Sequence, residues 1–278
     1  MKTPKEFGLP YNNVEKIIEK GIKNYFDGNG YCKALIGISG GLDSTVTAYL
    51  TARGIGSDKL VGVTMNDTIT SVQDRDDAEK VIKELKIKHL DVGISSVNAE
   101  FASLVKHELF KKSPLELKKI DKEKGKLAYA NIKPRLRMSI IYFFANILYG
   151  TVIGTSDKSE ILLGYYTKYG DGAADFLPIG DLYKTQVRAL GEYMNIPESI
   201  ISKKSSPGLI PNLTAEGELG FDYTSADLVF YYRFEKKLSV DQISNQLNMD
   251  KCLVNKILTR VEISSHKREL PKKIKIRR

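Results

Sequence analysis

Ser39-Gly40-Gly41-Leu42-Asp43-Ser44 carries the residue types that hold a phosphate chain. Two adjacent glycines let the backbone turn tightly and leave amide N–H groups uncovered, and a helix that starts here adds partial positive charge. Ser39 and Ser44 supply hydroxyl donors, and the Asp43 carboxylate is a hard oxygen ligand for the Mg2+ that accompanies a nucleotide. The apolar run Ala34-Leu35-Ile36-Gly37-Ile38 leads in and Thr45-Val46-Thr47-Ala48-Tyr49-Leu50 leads out. The spacing therefore predicts strand, glycine turn and helix in that order. A capped Gly-Gly turn would use the same residues; the strand before it and the helix behind it favour phosphate. No lysine follows Gly41, so the loop is not of the Gly-Lys-[Ser/Thr] type.

A second segment has related chemistry. Gly154-Thr155-Ser156-Asp157-Lys158-Ser159-Glu160 puts a turn and an acid behind another predicted strand, Thr151 to Thr155. In an open parallel sheet, ligands sit outside the carboxyl ends of the strands. Thr155 then faces the nucleotide, and Glu160 shares a cation with Asp43. A capped helix start with Glu160 in solvent is the competing account. Beyond it lie Gly164-Tyr165-Tyr166-Thr167-Lys168-Tyr169-Gly170-Asp171-Gly172-Ala173-Ala174-Asp175 and Leu182-Tyr183-Lys184-Thr185-Gln186-Val187. The tyrosines there suit either packing or ring stacking.

These loops need elements to carry them. An amphipathic helix is predicted over Tyr11 to Phe26, with Val14, Ile17, Ile18, Ile22 and Tyr25 on one face. Strands follow at Leu60 to Thr64 and His89 to Gly93, separated by a helix over Asp74 to Leu85, with another helix over Asn98 to Lys111. Lys111 to Lys126 reads as a lysine-rich, solvated connection or lid. No aromatics interleave with its charge, which argues against nucleic acid. Arg135 to Leu148 is predicted helical, Gly164 to Gly180 mostly loop, Leu182 to Asn195 helical, Pro207 to Gly220 irregular, and Thr224 to Ser264 helical. The last apolar stripes, Val240-Ile243-Leu247 and Leu253-Ile257-Val261, fit core packing better than a DNA-reading helix pair. Alternating strands and helices give an α/β fold with a doubly wound parallel sheet and a C-terminal helical part.

The composition is that of a globular enzyme, with 42% hydrophobic and 28% charged residues. A net charge of +9, from 43 basic and 34 acidic residues, suits polyanionic ligands. Part of it lies in the tail, where seven Lys and Arg face only Glu269 from His266 onward, the pattern of a solvated terminus. Cys32 and Cys252 form no CxxC and suggest neither a disulfide framework nor a zinc site. No apolar run has the length of a membrane span, and Met1 to Glu6 lacks a secretory signal. A cytoplasmic location with no membrane partner is expected.

The loop from Gly37 to Ser44 resembles that of the ATP pyrophosphatases, which cleave ATP between the α and β phosphates and adenylate an oxygen of a second substrate. The ordered set Arg135-Leu136-Arg137-Met138, Gly154-Thr155 with Glu160, Thr167 to Ala173, Leu182 to Val187, Glu218-Leu219-Gly220 and His266-Lys267-Arg268 resembles the ammonia-dependent NAD synthetases within that family. The resemblance covers most of the chain and implies one synthetase-like domain. Its nucleotide-binding core would span about 30–195, its C-terminal loop and helices about 196–265, and its basic tail 266–278. It implies the adenine-nucleotide α-hydrolase fold and amidation of deamido-NAD by ammonia through an adenylated carboxylate. ATP would lie on Gly37, Ile38, Ser39, Gly40, Gly41, Leu42, Asp43 and Ser44, with Thr155, Lys184 and Ser206. Asp43 and Glu160 would hold Mg2+, and Asp43 and Lys184 would be catalytic. Arg135, Lys168, Asp175, His266 and Lys267 would contact deamido-NAD. A homodimer is implied, with the apolar helix Ile140 to Leu148 as its candidate contact.

Three segments depart from the family pattern: Asn131-Ile132-Lys133-Pro134-Arg135, Ser205-Ser206-Pro207 and Leu213-Thr214-Ala215-Glu216. The last lacks an acid at Ala215 in the loop that closes on substrate. Amidation of nicotinate mononucleotide therefore stays open. So do a tRNA-modifying adenylating enzyme and a nucleotide-binding regulator, although reactive core cysteines for thiolation are missing and Asp43, Glu160 and Lys184 are intact. Free ammonia, or ammonia delivered by a separate protein, is the expected nitrogen donor, since neither cysteine has a base nearby in sequence.

Overall fold

The apolar run that leads into the glycine turn divides its side chains between two cores. Ala34, Ile36 and Ile38 face one side and Leu35 the other, as the two-residue period of a strand requires. In the computed structural model, which describes residues 7–111, 122–206, 208–209 and 213–276, this strand is central. The elements run α1 (Tyr11–Gly28), β1 (Lys33–Gly37), α2 (Leu42–Ile55), β2 (Leu60–Thr64), α3 (Val72–Leu85), β3 (Lys88–Asp91), α4 (Ser95–Lys111), α5 (Lys122–Ala130) and α6 (Ile132–Ile147). Then come β4 (Gly150–Ile153), α7 (Lys158–Leu163), α8 (Lys184–Tyr193), α9 (Glu198–Ile201), α10 (Ala215–Leu219), α11 (Tyr223–Phe230), α12 (Val240–Leu247) and α13 (Lys251–Ile263).

The four strands are parallel in the order β3-β2-β1-β4. The chain winds outward from β1 to β3, then crosses to the opposite edge to add β4. The strand order reverses between β1 and β4, which opens a crevice at their carboxyl ends. The glycine loop follows β1 and the Gly154-Thr155 turn follows β4, so both motifs meet at that crevice. One sheet face packs Ile36 and Ile38 against Val46 and Leu50 of α2, Val81 of α3 and Val187 and Leu190 of α8. The other packs Leu35, Val61, Val63 and Val152 against Ile141 and Ala145 of α6. The doubly wound α/β expectation holds. A third apolar cluster gathers Phe230, Ile243, Val254 and Ile257 around Leu163 and Tyr183, seating the C-terminal helices on α7 and the start of α8.

Several boundaries differ from the sequence expectation for local reasons. α3 begins at Val72 because Ser71 caps it, its Oγ accepting the Asp74 N–H at 3.0 Å. α8 begins at Lys184, with the Tyr183 N–H donating to Gln186 Oε1 at 2.9 Å. α10 falls inside the segment expected to be irregular and is capped by Thr214. The helical stretch after Thr224 is interrupted by a π turn at Tyr231–Glu235, and Ser239 and Asp250 cap the two helices that follow. Of the lysine-rich connection, Lys111 ends α4 and Lys122 begins α5, while 112–121 lie outside the described residues. Among the described residues, no helix is long and apolar enough to cross a membrane.

Candidate active site

The glycine loop is a small hydrogen-bonded knot at the N-terminus of α2. The Ser39 and Ser44 hydroxyls lie 3.1 Å apart, Ser44 Oγ donates to the Gly41 carbonyl at 3.1 Å, and Thr45 Oγ1 donates to the same carbonyl at 2.8 Å. Gly41 occupies the N-cap position and has no side chain to bond the first-turn amides, which leaves those donors for an anion. Gly40 has φ +77°, and a β-carbon there would stand 2.2 Å from the Asp74 carbonyl oxygen. The loop therefore lies directly on the first turn of α3, and only glycine permits that approach. Lys203 ties the two together: its Nζ lies 2.9 Å from the Gly40 carbonyl, 2.7 Å from Asp74 Oδ1 and 2.8 Å from Asp77 Oδ2.

Lys184 bridges the crevice. It is the first residue of α8 and is buried, and its Nζ lies 2.6 Å from Asp43 Oδ2, 2.9 Å from Glu160 Oε1 and 2.9 Å from Asp157 Oδ2. The first two contacts are hydrogen bonds, whereas the Asp157 oxygen is paired by charge without hydrogen-bond geometry. Asp157 and Glu160 form a capping box at the start of α7, with the Glu160 N–H donating to Asp157 Oδ1 at 2.8 Å. Asp43, Asp157 and Glu160 offer oxygens that all lie within 4.8 Å of one another. Asp43 Oδ1 is buried and accepts no hydrogen bond from the described residues. This oxygen-only donor set, with one oxygen unengaged, fits a hard divalent cation such as Mg2+.

Three carboxylates around one ammonium leave an excess of negative charge. Burial pushes the Asp157 carboxyl up to about 6, with the Lys184 ammonium opposing and the Asp43 charge adding to the rise. Burial likewise holds Glu160 well above the usual carboxylate range. For Lys184, burial favours the neutral form, but the charges of Asp157, Asp43 and Glu160 outweigh it and hold the ammonium well above its ordinary range. Beneath the cluster, the fully buried Asp227 accepts the Ser159 hydroxyl and, at Oδ2, the Thr185 N–H at 2.9 Å and the Thr185 hydroxyl at 2.8 Å. Ser159 Oγ in turn accepts the Lys184 N–H at 2.9 Å. Burial raises Asp227 to about 7 against those hydrogen bonds.

The remaining expected residues fall into three places. Thr155 sits in the turn between β4 and Asp157, half-buried beside the crevice. Ser206 bonds within its own loop, donating to the Leu213 carbonyl at 2.8 Å and accepting the Gly208 N–H at 3.2 Å. Arg135, Lys168, His266 and Lys267 come together. Arg135 donates to the Lys168 carbonyl at 3.4 Å and Lys168 Nζ to the His266 carbonyl at 2.5 Å. Lys267 Nζ donates to the carbonyls of Gly164 and Tyr166 at 2.7 and 2.6 Å, and burial lowers its pKa. Asp175 stands apart from them along β4, accepting the Val152 N–H at 2.8 Å, the Thr151 hydroxyl at 3.2 Å and the Tyr142 hydroxyl at 3.0 Å.

Sequence reasoning assigned no role to Asp157, Asp227 or Lys203. Asp157 had a readable signal, the Asp-x-x-Glu spacing of a capping box. Asp227 and Lys203 had none, because their partners come from distant segments.

A family model described as NAD synthase matches residues 14–271. The NH(3)-dependent NAD(+) synthetase of Staphylothermus marinus is 38% identical, covering 95% of this chain and 91% of its own length. The enzymes of the same name from Sulfurisphaera tokodaii and Saccharolobus solfataricus are 39% and 41% identical, covering 96% and 93% of this chain and 90% and 87% of their own lengths. Among solved structures, an NMN synthetase from Francisella tularensis superposes with a TM-score of 0.79 at 28% identity, over 96% of this chain and 99% of its own. An NH3-dependent NAD synthetase from Campylobacter jejuni superposes with a TM-score of 0.75 at 25% identity, over 96% and 100%.

Proposed function

This chain belongs to the NAD synthase family, and from that premise we propose how its residues divide the reaction between them. The chain is a ligase that forms a C–N bond, converting deamido-NAD to NAD+ with ammonia while ATP is cleaved to AMP and pyrophosphate. We assign the ATP triphosphate to the glycine loop Ser39 to Ser44 and the helix start behind it, with Thr155 at the opposite wall. Lys184 carries this reading, because its ammonium touches Asp43 from the β1 side and Glu160 from the β4 side. It stands where an α-phosphoryl group seated on the loop would gather negative charge, and a fixed cation there stabilises the transition state without reorganisation.

The nicotinate carboxylate attacks the α-phosphorus and pyrophosphate departs into the loop. Ammonia then adds to the acyl carbon of the mixed anhydride, loses a proton, and AMP leaves. No protein nucleophile is required, so holding the two substrates in line supplies much of the rate. Asp43 and Glu160 would hold Mg2+, which when bound would supply positive charge to neutralise phosphate oxygens and the departing pyrophosphate. Arg135, Lys168 and Lys267, with His266 beside them, form a cationic group suited to the dinucleotide phosphates. Asp175, engaged along β4, would act by fixing the loop that carries Lys168. Ser206 would act through the loop it closes. The chain is read as one domain throughout, and the outer side of α6, where Phe143 and Ile147 are exposed, is assigned to a second copy in a homodimer.

The test is AMP and pyrophosphate release from ATP and Mg2+ with ammonium, comparing deamido-NAD, nicotinate mononucleotide and no acceptor. Turnover with deamido-NAD, lost in Asp43→Ala, is expected. The three archaeal NH(3)-dependent NAD(+) synthetases named above are 38 to 41% identical, which favours the dinucleotide, while the two solved structures, of an NMN synthetase at 28% and an NAD synthetase at 25%, do not separate the two acceptors. Turnover confined to the mononucleotide would overturn that choice.

A further inference from the structure

We propose that Asp157 is the positioning residue of Lys184, the counter-charge that holds its ammonium at the mouth of the phosphate loop when Asp43 and Glu160 engage a cation or phosphate-bound ligand. The inference rests on the roles given above to Lys184, Asp43 and Glu160. Of the three carboxylates around Nζ, the Asp43 and Glu160 side chains are 23% and 18% exposed, whereas that of Asp157 is 0% exposed. The two partly exposed acids can turn to a ligand in the crevice, Glu160 by giving up only the long contact of its Oε2 with the Asp157 N–H at 3.4 Å. Asp157 cannot, because Oδ1 is fixed by the Glu160 N–H at 2.8 Å and Oδ2 faces Nζ at 2.9 Å.

The backbone also builds this pair. The Lys158 N–H donates to the Leu182 carbonyl at 2.9 Å and the Lys184 N–H to Ser159 Oγ at 2.9 Å, so the starts of α7 and α8 are clamped side by side. Asp43 reaches Lys184 only from the far side of the crevice. If both partly exposed acids turn away, the neighbours left to the ammonium are Asp157 and the Tyr223 ring, whose centroid lies 5.3 Å away. A buried ammonium without a charged partner is strongly disfavoured. Asp157 therefore keeps Lys184 inward and aimed during the very step in which its other partners are engaged.

Helix capping alone makes a different prediction, since Asn and Ser cap about as well as Asp. Asp157→Asn and Asp157→Ser both keep a cap and remove the charge. Each is expected to lower kcat by roughly 10- to 100-fold, the scale of an ångström-level misplacement. The KM for ATP should stay within about twofold, because uniform binding is untouched. The Mg2+ half-saturation point and the melting temperature should stay close to wild type. Wild-type kcat in both variants would overturn the proposal. So would recovery of kcat at high Mg2+, which would make Asp157 a metal ligand. A wild-type enzyme inactive with deamido-NAD would instead sink the assigned reaction.

Discussion

Replacing Gly40 with alanine tests whether the phosphate loop is held by backbone contact with α3. The new β-carbon would stand 2.2 Å from the Asp74 carbonyl oxygen and 3.0 and 3.1 Å from the Asp74 carbonyl carbon and Cα, where ordinary contact begins at 3.4 Å. The loop or the helix must retreat by about 1 Å, and overpacking of that kind costs about 1–3 kcal/mol. The φ of +77° adds about 1–2 kcal/mol for a residue with a β-carbon. Relief through α3 is restricted, because Asp74 is held by Ser71 and Lys203. A loss of about 2–5 kcal/mol in denaturant unfolding is expected. A roughly 100-fold loss of AMP release should accompany it, since the shift displaces the phosphates. Gly41→Ala is the matched control for stability. Its β-carbon meets only Ser39 Oγ at 3.3 Å, and its φ is −92°. That variant should lose less than about 1 kcal/mol. Equal stability of the two variants would refute the account of the loop.

Lys184→Met leaves the carboxylate cluster without its cation, and breaking a buried pair from one side costs about 3–5 kcal/mol. Turnover should vanish, and Mg2+ should raise the melting temperature of the variant more than that of wild type; equal Mg2+ shifts would contradict the shared-carboxylate reading. Asp227 has a native pKa of about 7 against an ordinary 3.8, so the native chain retains a proton that the unfolded chain has released. Stability should therefore fall as pH rises from about 4 through about 7 and level off above. Asp227→Asn should flatten that slope in denaturant titrations; an unchanged slope places the proton elsewhere. Phe143→Lys combined with Ile147→Lys, at side chains 60% and 57% exposed, should halve the mass seen by light scattering with little change in melting temperature. An unaltered dimer mass would move the interface to another surface.

The parts of the site legible in sequence are those that one segment specifies alone. The strand, glycine turn and helix around Ser39 to Ser44 are contiguous, and the uninterrupted apolar run Ala34 to Ile38 marks a buried strand, covered on both faces in β1. The same logic made the turn after β4 readable. Lys184 was found only through its resemblance to a known motif, because a lysine opening a helix has no distinctive local pattern. Its burial depends on Asp43 and Asp157, which reach it from other elements. Asp227 was invisible for the same reason: on α11 it sits among apolar neighbours, and only the fold brings Ser159 and Thr185 to it. α9 and α10 escaped because four or five residues cannot express a 3.6-residue period. Asp175 was placed only by the resemblance, and its hydrogen bonds to β4 could not be read locally because they depend on where the loop returns.

The sheet order has a consequence in time. Lys33 pairs with Gly150, and Lys184 must follow before the glycine loop meets its cation. During synthesis at about 5–20 residues per second, β1 waits on the order of ten seconds with one edge bare. Its unpaired N–H and C=O groups, flanked by the apolar side chains of Ala34, Leu35 and Ile36, are a template for unwanted strand pairing throughout that interval. Nucleotide bound as proposed would not shorten the wait, because Thr155 and Lys184 have not yet left the ribosome. The strand edge thus stays bare while the most recognisable motif in the sequence is already complete.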